Sequence, residues 1–330
     1  MSLLAPRSPR RPVPQFAWLE ISSFCNLECR QCYADSSPRG DHGTMTEGDW
    51  VRVMDELTAL GVRDVQFIGG EPTLHPSLPR LIRHARTRQM RVEVFSNLTH
   101  ITDDVWEALR LPHVRLAFSY YSDDAQDHDD VTQKRGSHAR TRANVEKAKS
   151  LGIPMRGSVI KVLQGQRADE SRRELLDIGL RDVRTDTIRP FGRGVNGAAP
   201  DIKKLCGRCR RDKIAISPNG DVWPCVFARW MTVGNVHEQS LQDIYHGVPM
   251  QGARAELAAA HPDKAPAANS SPSCLPDCNP SFDTCSPQLA CAPDAACNPT
   301  EGGDERLREP IMSPHRSVRY GNPRIAGTDC

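Results

Sequence analysis

Apolar positions between residues 16 and 188 follow two alternating periods. Short continuous runs rich in Val, Ile and Phe, such as residues 16–21 and 62–68, are typical of buried β-strands. Between these runs, apolar positions recur every three or four residues, which is the period of a helix with one buried face. The pattern predicts strands at 16–21, 62–68, 92–95, 114–119, 155–162 and 183–188, and helices at 44–61, 76–89, 103–110, 137–151 and 168–178.

Six strands that alternate with helices predict an α/β fold, in which helices cover a parallel sheet. Six such units are fewer than the eight of a closed (βα)8 barrel. The helix predicted at 44–61 also has a cap signal, because Thr46 and Asp49 form the residue pair of an N-terminal capping box. Parallel sheets bind ligands at the carboxyl ends of their strands, so we expect functional residues in the loops that follow the strands.

Three cysteines stand shortly after the first predicted strand. Cys25, Cys29 and Cys32 have the spacing C-x3-C-x2-C, and three thiolates can hold three irons of a cubane [4Fe–4S] cluster while the fourth iron stays open for chemistry. The alternative is a zinc site, but structural zinc usually takes four ligands, and no further Cys or His follows before His42. The spacing therefore favours an iron–sulfur cluster.

The composition excludes several classes of protein. The 330 residues carry a net charge of +2, so no nucleic-acid or membrane partner is expected. No segment reaches the ~18 apolar residues of a membrane span, and the Arg- and Pro-rich residues 1–15, expected to form a flexible arm, lack the apolar core of a signal peptide. We therefore expect a cytoplasmic protein, in which 12 cysteines indicate metals or clusters rather than disulfides.

The cysteine motif, with an aromatic residue directly after it, resembles the cluster-binding motif of the radical SAM superfamily. The sequence Gly-Gly-Glu-Pro after the second strand resembles a second motif of that superfamily. The resemblance implies a partial (βα)6 TIM-like barrel over residues 16–200. It also implies an open iron that binds S-adenosylmethionine (SAM) and a 5′-deoxyadenosyl radical that removes a substrate hydrogen. The residues it implicates are Cys25, Cys29 and Cys32 on the cluster, Tyr33 near the adenine, and Gly69, Gly70, Glu71 and Pro72 at the amino group of SAM.

Other polar residues at strand ends are weaker candidates. By the same resemblance, Ser96, Asn97 and Ser119 contact SAM, although serine and asparagine are also common turn residues. Arg156 and Arg189 are candidates for binding the SAM carboxylate or an anionic substrate, with surface ion pairs as the alternative.

An acidic stretch follows the fourth predicted strand. It contains Asp123 and Asp124, the candidate catalytic residues, and also His128. One interpretation is a solvated polar loop, as most runs of charge are. The other is a group that binds substrate or transfers protons at the mouth of the barrel.

A second group of cysteines lies in the last third of the chain. Cys206 and Cys209 are followed by two β-like runs around an Asn-Gly pair, which predicts a hairpin, and then by Cys225. This order, with Gly-Asn-Val and a helix after it, resembles the SPASM or twitch domain of radical SAM enzymes, expected here over residues 201–255. The resemblance implies that these cysteines bind an auxiliary iron–sulfur cluster.

The remaining residues are expected to form a linker at 256–273, which is rich in Ala, Pro and Ser, and a disordered tail at 300–330. Between them, residues 274–299 hold five cysteines, each followed two positions later by proline, which can turn the chain around a metal. Their spacing departs from the SPASM pattern, so one or two auxiliary clusters, a zinc site and a disordered segment all stay open. These candidate ligands are Cys274, Cys278, Cys285, Cys291 and Cys297.

The sequence favours a radical SAM enzyme that oxidises or cross-links a ribosomally made peptide. Two alternatives stay open: dehydrogenation of a small molecule such as an aminoglycoside, and a non-enzymatic cysteine-rich scaffold that binds metal. The enzyme needs an electron donor such as flavodoxin or ferredoxin. A peptide substrate also needs direct docking or a separate recognition protein, since only 24 residues precede Cys25.

Overall fold

In the computed structural model, which describes residues 13–195, 197–207 and 212–262, nine strands form one sheet. The strands are β1 (Phe16–Glu20), β2 (Asp64–Ile68), β3 (Arg91–Ser96), β4 (Val114–Tyr120), β5 (Met155–Lys161), β6 (Asp182–Thr187), β7 (Lys213–Ile216), β8 (Asp221–Trp223) and β9 (Gly234–Asn235). They lie in the order β6-β5-β4-β3-β2-β1-β7-β8-β9. Every pair from β6 to β7 is parallel, and β8 and β9 are antiparallel additions.

The described residues also form eight α-helices. They are α1 (Glu47–Ala59), α2 (Leu78–Thr87), α3 (Asp103–Leu109), α4 (Ala125–Thr132), α5 (Ser137–Ser150), α6 (Ala168–Ile178), α7 (Leu241–His246) and α8 (Val248–Ala260). Each crossover between consecutive strands from β1 to β6 contains at least one helix. The predicted α/β fold with six parallel strands is therefore confirmed, and its sheet stays open, with β6 and β9 at the edges.

The core lies where the helices pack on this sheet. All five residues of β1 are buried, and α1 buries Trp50 and Leu57 completely. Burying one such side chain contributes about 1.5–3 kcal/mol, so this face fixes α1 against the sheet. The predicted cap is present, since the Thr46 side chain accepts a hydrogen bond from Asp49 N and the Asp49 side chain accepts one from Thr46 N.

The C-terminal hairpin belongs to the same sheet. β7 pairs in parallel with β1, with Ile214 opposite Ala17, and β8 returns antiparallel to β7. The turn between them holds the predicted Asn219-Gly220 pair, and Gly220 has φ +84°, a conformation that favours glycine. The predicted hairpin is confirmed, and it extends the parallel sheet beyond β1.

The acidic stretch contains a helix where a solvated loop was one of the two interpretations. Asp124 is the N-cap of α4, and its side chain accepts hydrogen bonds from Gln126 N and Asp127 N. Short acidic side chains satisfy the free N–H groups at a helix start. Asp124 therefore marks the beginning of a helix.

α8 continues to Ala260, five residues into the predicted linker, which corrects the boundary at residue 256. The reason is that Met250, Ala253 and Leu257 form a buried face, and alanine favours a helix. None of the helices that the structure describes has both the length and the apolar composition needed to span a membrane. The other predicted domain boundaries stay predictions.

Candidate active site

Residues 21–36, here called the cysteine segment, leave the carboxyl end of β1 and border a cavity of about 290 Å³. All three cysteines line the cavity, together with residues at the ends of β2 to β6. This is the edge at which parallel sheets bind ligands. The predicted site residues that line it are Cys25, Cys29, Cys32, Tyr33, Gly69, Gly70, Ser96, Asn97, Ser119, Arg156 and Arg189.

Gly69 and Gly70 form the turn after β2 and let its backbone approach the start of the cysteine segment. A Cβ atom on Gly70 would lie 2.2 Å from the carbonyl oxygen of Phe24, and one on Gly69 would lie 2.5 Å from that of Ser22. Gly70 N donates a hydrogen bond to Ser22 O (2.7 Å), and Glu71 N donates one to Phe24 O (2.8 Å). A side chain at Gly70 would therefore displace the backbone that leads to the cysteines.

The Glu71 side chain is fully buried and does not line the cavity, nor does Pro72, which opens a short 3-10 turn. Glu71 Oε1 accepts hydrogen bonds from Thr73 N (3.0 Å) and Ser96 Oγ (2.7 Å), and Oε2 accepts one from Asn97 N (2.7 Å). Burial raises the pKa of Glu71, while the hydrogen bonds donated to it oppose the rise. The carboxyl group joins the ends of β2 and β3, and a contact of Glu71 or Pro72 with SAM stays a prediction.

Asn97 ties the end of β3 to the cysteine segment. Its Nδ2 donates to Asn26 Oδ1 (3.0 Å) and lies 3.7 Å from Cys25 Sγ. Asn26 Nδ2 in turn donates to Thr99 Oγ1 (2.8 Å), and Leu27 N lies 3.4 Å from Cys25 Sγ. Nitrogen donors directed at a sulfur favour its thiolate form, and hydrogen bonds to the sulfurs tune iron–sulfur clusters.

The three thiols are the type of ligand that an iron–sulfur cluster takes. Burial raises the pKa of Cys25 above its usual range and, with the nearby Cys32, raises that of Cys29 to about 12. Such thiols ionise when a metal binds them. Within the described part of the chain, no three His, Cys, Asp or Glu side chains are placed to hold one metal ion. A cubane cluster attaches each thiolate to a different iron, so its ligands need not converge on one point.

α4 holds the cysteine segment from one side. Glu28 N donates to Thr132 O (3.3 Å) and Arg30 N donates to Val131 O (3.0 Å). Arg30 Nε also donates to Asp130 O (2.8 Å). The backbone carbonyls of α4, the helix within the acidic stretch, therefore support the cysteine segment.

Asp123 and Asp124 do not line the cavity. Asp123 forms an ion pair with Arg167 (2.7 Å), and this contact lowers the pKa of Asp123 although partial burial opposes it. Asp124 caps α4. His128 is buried beside the Tyr121 ring, 5.3 Å between ring centroids. The contacts give both aspartates structural roles, and a catalytic role for them stays a prediction.

Tyr121 and Phe227 are among the cavity residues that were not predicted from the sequence. Tyr121 lines the cavity with Ser119 and Cys29, and burial raises the pKa of Tyr121 well above its usual value. Tyr121 lies two residues after Ser119, one residue past the end of β4, so the alternation of side chains along the strand was a signal for it. Phe227 contacts the Tyr33 ring, with 4.9 Å between centroids, and no local pattern connects two residues so far apart in sequence.

Arginines and acids pair in this cavity. Arg156 donates to Glu93 through Nε (3.0 Å) and Nη2 (2.8 Å), and Arg115 pairs with the same buried carboxylate. Glu93 therefore has two guanidinium partners, and its contact with Arg156 is bidentate. Arg189 lines the cavity and pairs with Asp186 (2.6 Å).

Two of the candidate auxiliary ligands meet in one apolar cluster. Cys225 is buried in the cluster that also contains Trp18, and Cys206 packs against the same cluster. None of the five described cysteines is in a disulfide bond. Cys209 and the candidates at 274–299 lie outside the described residues, so the complete ligand set stays a prediction.

Two family models match the chain. The radical SAM superfamily model matches residues 19–177, and SPASM, an iron–sulfur cluster-binding domain, matches residues 206–279. The first match places residues 19–177 in the radical SAM superfamily, and the second gives the chain a C-terminal SPASM domain, as predicted. This membership implies a [4Fe–4S] cluster, SAM and auxiliary iron–sulfur clusters, as predicted, and the three thiols around the cavity fit the first of these.

Curated relatives match at modest identity. The subtilosin biosynthesis protein AlbA of Bacillus subtilis is 24% identical over 71% of this chain, and the chain spans 60% of its length. A PqqA peptide cyclase of Granulibacter bethesdensis is 26% identical over 70% of this chain and 73% of its own.

A solved structure supports the fold. Streptococcus suis SuiB bound to the precursor peptide SuiA has a TM-score of 0.64 over 73% of this chain and 66% of that chain, at 17% identity. At this identity the likeness establishes the fold alone.

Proposed function

We propose that this protein reductively cleaves SAM and oxidises or cross-links a ribosomally made peptide. The observation that carries the proposal is that Cys25, Cys29 and Cys32 line one cavity together with the Gly70 turn. The peptide as substrate class is supported by the relatives, which are named for bacteriocin biosynthesis and for cyclisation of the PqqA peptide. The SuiB structure, solved with its precursor peptide, has the same fold.

When bound, the cluster supplies one electron that breaks a sulfur–carbon bond of SAM, and the 5′-deoxyadenosyl radical then takes a hydrogen atom from the substrate. The residues of this chain hold and orient the reactants. We assign the amino group of SAM to the backbone around Gly69, its carboxylate to Arg156, and its adenine to Tyr33. Ser96, Asn97 and Ser119 complete the proposed SAM site.

Oxidation of the peptide removes two electrons in total. One leaves with the hydrogen atom, so a second must leave the substrate radical. Cys206 and Cys225 would help to hold an auxiliary cluster, which would supply an acceptor for this electron close to the cavity, since Phe227, two residues after Cys225, lines it. The first electron comes from a donor such as flavodoxin or ferredoxin, in the reducing cytoplasm.

Aromatic rings next to the cavity favour a substrate that extends out of it. Phe227 stacks on Phe191 with 5.8 Å between centroids, and Phe191 stacks on Trp230 at 5.7 Å. Trp230 is 40% exposed, an unusual position for so large an apolar side chain. A peptide leaving the cavity along these rings would bury them, and aromatic residues contribute strongly to peptide binding.

The test uses protein reconstituted anaerobically and given SAM, reductant and extract of host cells grown in deuterated medium. The extract is separated into peptide and small-molecule fractions, and 5′-deoxyadenosine is analysed by mass spectrometry. We expect deuterium to enter it from the peptide fraction, and Cys29→Ala to produce none. Deuterium only from the small-molecule fraction would reject the peptide as substrate class, and 5′-deoxyadenosine from Cys29→Ala would reject the cluster assignment.

A further inference from the structure

One arginine fastens the turn after β6 to the cysteine segment. The turn is the 3-10 helix Gly192–Val195. Arg193 donates from Nε to Cys29 O (2.8 Å), from Nη2 to Ser36 O (2.7 Å) and from its backbone N to Cys32 O (3.0 Å). One residue therefore makes hydrogen bonds to three carbonyl groups of the segment that would carry the cluster.

The turn approaches that segment backbone to backbone. A Cβ atom on Gly192 would lie 2.5 Å from the carbonyl oxygens of both Cys32 and Tyr33. Gly192 also has φ +54°, in the left-handed region that favours glycine. The close approach leaves the two segments little freedom to move apart.

Arg193 lies between two parts of the site without lining the cavity itself. Thr185, Thr187 and Arg189, a few residues earlier in the chain, line the cavity and would contact its contents. Arg193 connects this end of β6 to the cysteine segment. A ligand that moves the end of β6 would therefore also move the cysteines.

The chemistry of the guanidinium group suits this task. It is planar and always charged, and its nitrogens can donate to two carbonyl oxygens at once. A lysine keeps the charge but has one nitrogen, which cannot bridge Cys29 O and Ser36 O in the same geometry. Glutamine keeps one donor group and loses the charge. Substitutions at Arg193 can therefore distinguish two effects: the bridge of hydrogen bonds to Cys29 O and Ser36 O, and the positive charge.

We infer that Arg193 is a positioning residue for the catalytic cluster: its bridge fixes the cysteine segment so that the open iron meets SAM, and its charge stabilises the reduced cluster. The inference rests on a cluster at the three cysteines. It does not depend on the identity of the substrate, so the peptide proposal and this one fail in different experiments.

The experiment compares wild-type protein with Arg193→Lys and Arg193→Gln after anaerobic reconstitution. Arg39→Gln is the matched control, because Arg39 pairs with Glu28 of the same segment but is 76% exposed and makes no bridge. The first readout is the SAM concentration that half-converts the EPR spectrum of the reduced protein, since only a cluster with an open iron responds to SAM. The second is the reduction potential of that SAM-responsive signal.

We expect both Arg193 variants to need about tenfold more SAM, the effect of losing one charge-assisted hydrogen bond. We expect a lower reduction potential in Arg193→Gln and an unchanged one in Arg193→Lys, while Arg39→Gln matches wild type in both readouts. A wild-type SAM concentration in both Arg193 variants would overturn the positioning role. An unchanged potential in Arg193→Gln would overturn the electrostatic role.

Circular dichroism checks that each variant is folded. A folded Arg193 variant that gives no SAM-responsive signal supports the positioning role. If Arg193→Gln does not fold, Gly192→Ala tests the same contact, because it pushes the turn off the segment and keeps the charge. Gly192→Ala should weaken the response to SAM at an unchanged potential, and a folded Gly192→Ala with the wild-type response would overturn the inference.

Discussion

The buried carboxyl group of Glu71 makes a quantitative prediction that separates two roles for this residue. The resemblance implies a contact with SAM, whereas the structure surrounds the carboxylate with donors from its own chain. Glu71→Ala removes the acceptor and leaves the N–H groups of Thr73 and Asn97 and the hydroxyl of Ser96 without this partner. The stability of the apoprotein measures that loss, because neither SAM nor a cluster is then present.

The magnitude follows from the contacts. An unsatisfied buried donor costs about 1–3 kcal/mol, and such costs are not additive, so Glu71→Ala should lower the free energy of unfolding by about 3–5 kcal/mol. At roughly 2–4 °C per kcal/mol for a chain of this size, the melting temperature should fall by about 10 °C. Glu71→Gln keeps one oxygen but turns an NH2 group toward Asn97 N, so its melting temperature should fall by about half as much.

The assay is thermal unfolding of the apoproteins by circular dichroism, followed by SAM titration of the reconstituted proteins. Glu28→Gln is the control, because Glu28 is in an exposed ion pair that contributes little to stability. We expect both Glu71 variants to lose stability and SAM affinity together. An apo Glu71→Ala as stable as wild type that has lost SAM binding would refute the structural role and favour direct contact with SAM.

Two further predictions concern the second cysteine site and pH. Cys225→Ala should hold less iron per chain than wild type but keep the SAM-dependent EPR change, and an unchanged iron content would count against an auxiliary cluster there. Burial lowers the pKa of His128 to about 3 from 6.5, so its contribution to stability is complete above pH 6.5 and is lost as the pH falls toward 3. That loss is about 2 kcal/mol between pH 7 and pH 5. In urea unfolding at these two pH values, His128→Gln should lose correspondingly less stability, and an equal loss would contradict the assignment.

Local signals in the sequence were sufficient for most strands and helices. The start of α1 depends on Thr46 and Asp49, which lie three residues apart, and its buried face repeats within one helix length. The end of each strand was also visible, which is why the cysteines and the glycine turn could be placed at one edge. Predictions of this kind need no knowledge of which distant segments pair.

The order of strands beyond the parallel units could not be read from the sequence. β7 lies beside β1, and Ile214 faces Ala17 across nearly 200 residues. Hydrophobic runs predict that both strands are buried, but nothing in their sequence selects β1 as the neighbour. The SPASM hairpin was therefore predicted correctly as a hairpin, and its place in the sheet was not.

The same distinction applies to the site residues: local sequence signals identify some of them, and contacts between distant segments are needed for the others. A motif specifies residue types but not their partners. The partners of Glu71 include Ser96 and Asn97 at the end of β3, so the role of its buried carboxylate could be seen only in the structure. Arg193 was missed because its acceptors are backbone carbonyls, which every residue has and which leave no pattern. Tyr121 is different, since it lies one residue past β4 and two residues after Ser119, where the alternation of the strand was a usable signal.

The position of β1 between β2 and β7 has a consequence for synthesis of the chain. Phe16 pairs with Asp64 on one side and with Lys213 on the other. Until the hairpin emerges from the ribosome, one edge of a fully buried strand stays open, and open strand edges pair readily with other chains. We therefore expect a chain truncated after β6 to aggregate, and the cysteine segment at the end of β1 to gain its final support only after β7 has been synthesised.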